Sequence, residues 1–176
     1  MADIQQEIIK QFDPIETEII RILNSILSET KHQGLEWEMG RLTNRIKNDL
    51  VCLAHKLDYL VSCSGVDGKA TQGEWLYDMV WWKNDGDYMS KIILVLESEW
   101  TPTFPLDEDF YKLMVARSDH HVWIFEAKTE ALVCEAISTC IDHLSHFKGL
   151  PPGDRFLFAG VSWNPREFFF DLYVYP

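Results

Sequence analysis

The amino-acid sequence predicts a fold of the α/β or α+β class, a central mixed β-sheet flanked by helices. In two N-terminal segments apolar residues recur at intervals of three and four, the period of amphipathic helices. From residue 59 onward, short apolar runs bounded by turn residues read as strands, and two more helix-patterned segments interrupt them. A helix, three strands, a helix, a strand, a helix and two strands imply an antiparallel meander extended by a parallel strand.

Each element has its own signal. Asp13-Pro14-Ile15-Glu16 reads as a helix start, with Asp13 as N-cap, Pro14 in the first turn and Glu16 completing a capping box. That helix is expected to run to about residue 28. A second helix is expected over 35 to 56, where Met39, Leu42, Ile46, Leu50, Leu53 and Leu57 form one stripe. Strands are expected over 59 to 64, before the turn GVDG, and over WLYDMVWW (75 to 82), before the turn KNDGD. KIILVLESEW (91 to 100) is the third strand. A short helix over 105 to 118 carries Asp107, Glu108 and Asp109 near its positive N-terminal end. HVWIF (121 to 125) is the fourth strand. Residues 130 to 147 form a helix with Val133, Ile137, Cys140, Leu144 and Phe147 on one face. FLFAGVSW and EFFFDLYVY end the chain as two strands joined at Asn164-Pro165.

At 176 residues the chain is expected to form one domain, and its 47% hydrophobic content excludes a disordered chain. No apolar run is long enough to span a bilayer. The start lacks the basic and apolar regions of a secretory signal, so a cytoplasmic location without membrane association is expected. The four cysteines have no CxxC spacing and read as buried thiols rather than disulfides or a zinc site. The formal charge of −12 opposes nucleic-acid binding unless basic residues are gathered in one place, and it favours a cation or a basic protein as partner.

The third strand carries the chemistry. Alternation puts Ile93, Val95, Glu97 and Glu99 on one face, and it groups Leu76, Asp78 and Val80 against Tyr77, Met79 and Trp81 on the second strand. Asp78 is the one charge in an apolar run. If the two strands are hairpin neighbours, Asp78 comes beside Glu97, and such carboxylates repel unless a divalent cation joins them. Oxygen donors suit Mg²⁺ or Mn²⁺ better than zinc. The alternative is that Glu97 and Glu99 lie where the strand emerges into solvent.

A helix, a strand bearing Asp78, a strand ending Glu97-Ser98-Glu99, a helix and another strand together resemble the PD-(D/E)XK phosphodiesterase superfamily, with its restriction-endonuclease-like αβββαβ core. The resemblance covers about residues 35 to 126, leaving 1 to 34 as an N-terminal helical extension and 127 to 176 as an added helix and two strands. It implies that Asp78 and Glu97, with the Ser98 carbonyl, bind Mg²⁺ or Mn²⁺, and that a metal-bound water attacks a phosphodiester in line. Glu99 stands where this family usually has lysine, and would hold or deprotonate the water or bind a second cation. Glu38 or Glu36 would be the acid often given by the first core helix. Lys112 is a candidate replacement for the lysine, although its helical position also fits a surface pair with Asp109.

Arg41, Arg45 and Lys47 are the densest basic cluster, able to meet phosphates or to form an ordinary solvated face. The aromatic group Trp75, Tyr77, Trp81, Trp82 and Trp100 is expected mostly in the core, with Trp100 able to line a groove. Cys140, His143 and His146 do not converge on one helix face and are not read as a metal site. His120 and His121 stand where the fourth strand begins, and adjacent residues there point to opposite faces. Two functions remain open. One is a metal-dependent nuclease acting on nucleic acid, with a homodimer implied only by the resemblance. The other is an inactive protein of the same fold, an acidic or immunity-type partner of a basic protein.

Overall fold

The computed structural model describes residues 12–32, 39–67, 70–100 and 108–176. The expected cap starts α1 (Pro14–His32): the Asp13 N–H donates to Glu16 at 2.9 Å and the Glu16 N–H to Asp13 Oδ1 at 2.9 Å, a reciprocal capping box. The stripe on α2 (Met39–Lys56) buries Leu42, Ile46, Leu50 and Leu53, whereas Leu57 lies beyond the helix end and is exposed. The strands are β1 (Leu60–Cys63), β2 (Met79–Asp85), β3 (Tyr88–Glu99), β4 (His120–Thr129), β5 (Arg155–Asn164) and β6 (Arg166–Val174). Helices α3 (Glu108–Val115) and α4 (Glu130–His146) connect the parallel strands.

The sheet runs β1-β2-β3-β4-β5-β6 in sequence order. β1, β2 and β3 are antiparallel neighbours, β3-β4 and β4-β5 are parallel, and β5-β6 is antiparallel. This is the mixed sheet expected from the element order. One core packs Ile19, Leu23, Leu50, Trp81 and Leu94 between the sheet and α1 with α2. The other packs Phe110, Leu113, Trp123, Val133 and Phe158 between the sheet and α3 with α4. Strand β4, covered on both faces, is buried from His120 to Ala127, with the apolar run Val122–Phe125 at its centre. Strand β5 comes so close to α4 that a Cβ on Gly160 would stand 2.3 Å from Val133 Cγ1.

Five local expectations are corrected. Strand β2 starts at Met79 rather than 75, because Leu76 takes a left-handed φ of 62° and Trp75 bridges Tyr77 in a tight turn. The kink breaks the strand alternation, and Tyr77 packs on the α3/α4 side instead of sharing a face with Met79 and Trp81. The KNDGD turn shrinks to Gly86-Asp87, with Lys83, Asn84 and Asp85 paired in the ladder. In β3, Ile93 is the extra residue of a bulge between the pairs Trp81↔Leu94 and Trp82↔Ile92, and it packs with Leu94 on the α1/α2 side while Val95 faces α3. None of the cysteines forms a disulfide, but Cys52 and Cys134 are exposed rather than buried.

Candidate active site at the ends of β2 and β3

Antiparallel pairing of Met79 with Leu96 brings Asp78, the residue just before β2, beside Glu97 near the end of β3. The Asp78 N–H donates to Glu97 Oε2 at 3.1 Å. The Asp78 carboxylate turns toward α2. Its Oδ1 accepts from Lys47 Nζ at 3.0 Å, and its Oδ2 accepts from the Ser98 N–H at 2.9 Å and the Ser98 hydroxyl at 2.6 Å. Lys47 is only 8% exposed and also faces Glu74 at 3.8 Å. Burial would lower the affinity of Lys47 for its proton, but Asp78 outweighs that and raises it. Lys47 thus belongs to the site rather than to a solvated face. Its apolar neighbours at i+3 and i+4, Leu50 and Val51, are the sequence signal for that burial.

Glu97 is 4% exposed, and its Oε1 has no hydrogen-bond partner. Burial pushes its carboxyl up to about 7; Asp78 and Asp109 add to the rise, and Lys112 and the Asp78 N–H oppose it. Lys112 Nζ lies 3.6 Å from this oxygen, an ion pair too long for a hydrogen bond, and 2.5 Å from Asp109 Oδ1. The surface pair with Asp109 is therefore present, and Lys112 also reaches the buried acid. The Tyr77 hydroxyl meets the Lys112 carbonyl at 3.5 Å, linking α3 to the segment that carries Asp78.

Glu99 is half-buried and lies near Glu126 of β4. Glu126 is buried, its Oε2 has no partner, and burial, reinforced by Glu99, pushes its carboxyl up to about 7 against the Trp163 hydrogen bond. Asp78, Glu97 and Glu99 do not form a trio with donors within 4.8 Å of one another. The half-buried Trp100 packs against the α1/α2 core, and its Nε1 is buried without a partner. Trp81 and Trp82 are buried, as expected, whereas Trp75 is exposed. Arg45 is exposed and tied to Asp49 and Glu29; Arg41 is exposed on the same helix. Glu36 and Glu38 lie outside the described residues. Among the described residues, the charged groups paired with Asp78 and Glu97 or beside them are Lys47, Lys112, Glu74 and Asp109, which do not amount to a basic rim.

Among the described residues, the one group with donors at metal-ligand spacing is Asp13, Glu16 and His120, all within 4.8 Å of one another, and this group could hold a metal ion. His120 Nε2 lies 3.3 Å from Asp13 Oδ2, and its Nδ1 faces Glu16 Oε1 at 3.4 Å without a hydrogen bond. Arg155 already grips both oxygens of the fully buried Glu16 at 2.7 Å. Burial would raise the Glu16 carboxyl, yet Arg155, His120 and the Asp13 N–H outweigh it and bring it down to about 2. A cation entering here competes with that guanidinium, so the group first ties α1 to the starts of β4 and β5. The capping box was legible in the sequence; the partnership with His120 and Arg155, both more than 100 residues away, was not.

No helix among the described residues is long and apolar enough to cross a membrane. Comparison with protein-family models, with curated proteins and with solved structures returned no match.

Proposed function

We propose that the protein is a metal-dependent phosphodiesterase acting on nucleic acid, with its centre at Asp78 and Glu97. The observation that carries this reading is the Glu97 carboxyl, buried beside a second acid with one oxygen unpartnered. Leaving such an acceptor unmet costs about 1–3 kcal/mol, and a cation would meet it. Oxygen donors favour Mg²⁺ or Mn²⁺. Glu97 Oε1 would be the first ligand, with Asp78 following by exchange of its Lys47 contact. The bound ion would lower the pKa of a water and polarise a phosphoryl oxygen. Ser98 fixes the Asp78 carboxylate through Oδ2, and Tyr77 holds α3 against the site. Lys112, 41% exposed, supplies a positive charge at the rim, the charge that Glu99 does not provide.

The test is cleavage of plasmid and of single-stranded DNA and RNA with Mg²⁺ or Mn²⁺. The wild type should cut only with the metal, and Asp78→Ala and Glu97→Ala should each lose at least about 100-fold in rate. Metal-independent cutting, or equal cutting by the variants, would sink the proposal. A second reading is an inactive protein of this fold that binds a basic partner. It is supported by the ion pairs that Lys47 and Lys112 already make with Asp78 and Glu97, and by the charge of −12. On that reading Mg²⁺ and Mn²⁺ leave thermal stability unchanged.

A further inference from the structure

The contacts of Lys112 carry the proposed site one step further. Its ammonium has two carboxylates in reach, unequal in distance and in surroundings. Asp109, one helical turn away on α3, is held at 2.5 Å, while buried Glu97 is approached only to 3.6 Å. Glu97 Oε1 has no closer polar partner, so the space before it is where positive charge is called for and a hydrogen bond is not made. The lysine side chain is 41% exposed, whereas that of Lys47 is 9% exposed and bonded to Asp78.

We infer that Lys112 is a built-in counter-cation of this site: its ammonium sits before Glu97 Oε1 until a divalent ion binds, then swings outward while staying paired with Asp109. The inference rests on the metal-dependent reading above and adds to it a competition within the chain. A lysine held away from Glu97 Oε1, on Asp109 alone, would change metal affinity little when removed, because salt screens its charge. A lysine that shares the cation's place must weaken metal binding for as long as it carries charge. Asp109 then acts as the tether that draws the ammonium away, and so favours metal entry.

The experiment is calorimetric titration of Mn²⁺ into the full chain without nucleic acid, at alkaline pH so that Glu97 is ionised in every variant. Lys112→Met should bind Mn²⁺ roughly tenfold more tightly than the wild type, from loss of one charge beside the ligand. Lys112→Arg, which keeps the charge, should stay near the wild type. Asp109→Asn, which frees the ammonium to settle on Glu97, should bind several-fold more weakly. Lys91→Met removes a charge of the same sign from β3, where Lys91 makes an exposed pair with Asp119 just before β4, and should change little, because salt screens it. Equal or weaker binding by Lys112→Met, with Mn²⁺ binding intact in the wild type, overturns the counter-cation and leaves the metal reading standing. Binding by Lys112→Met alone supports the counter-cation. Absence of binding in the wild type and in Lys112→Met overturns both.

Discussion

Glu97 and Glu126 are carboxyls that the fold keeps protonated well above the ordinary range, each pushed by burial up to about 7. Between the ordinary carboxyl value of 4.5 and about 7 the folded protein therefore holds more protons than the unfolded chain. Stability must fall as pH rises through that window, since its slope follows the proton number of the unfolded state minus that of the native state. Glu16 has the opposite sign: held down at about 2, it contributes stability that is present above 4.5 and is lost as pH falls. Each tenfold change in proton affinity is worth about 1.4 kcal/mol, so a single substitution should be visible. Glu97→Gln should flatten the loss of stability between about pH 5 and about pH 8 in urea unfolding. An unchanged slope would mean that Glu97 ionises in place without cost. A divalent ion at Glu97 should produce the same flattening in the wild type, because it replaces the proton.

At the scale of elements, α1 is tied to the sheet through one buried ionic contact. Arg155, the first residue of β5, reaches Glu16 in the first turn of α1, and His120 stands beside them at the start of β4. Arg155→Met leaves the Glu16 carboxylate buried without its partner and should cost about 3–5 kcal/mol, measured by chemical denaturation. The double variant with Glu16→Gln should recover part of the loss, because the orphaned charge goes with it. A loss below about 1 kcal/mol in the single variant would show that water already reaches Glu16. The helices and strands were legible because apolar period and capping are local. The capping box at Asp13 and Glu16, the stripe of α2 and the mixed order of the sheet could all be read directly. What could not be read depended on distant partners or on a single dihedral. The left-handed Leu76 moved the start of β2, and nothing in WLYDMVWW marks it. For the same reason Asp78 and Glu97 could be paired from alternation, whereas Lys47, which completes their contacts, looked like a member of a basic surface cluster.

Over the whole molecule, a charge of −12 sets the terms on which a polyanion can approach. A basic nuclease loses affinity as salt rises, because bound phosphates release counterions. This chain should show the reverse at low ionic strength: added monovalent salt screens the long-range repulsion and raises the cleavage rate measured at limiting substrate. A rate that falls monotonically with salt would point to a basic contact surface that outweighs the overall charge. The same acidity is what a basic protein partner would recognise, so the salt profile also separates the two readings.

Asp78 and Glu97 flank one hairpin, β2 and β3, whose tip exposes Tyr88 and Met89. Seven residues of strand, about 23 Å, separate the tip from the acids. The tip is therefore a place to graft a fluorophore, an epitope or a surface tether without approaching the proposed site. Deleting a single residue between the bulge at Ile93 and Glu97 would instead advance the register and bring Ser98 to the place of the acid. The hairpin is thus tolerant of length changes at one end and intolerant at the other, a polarity that an insertion and deletion scan would read out directly.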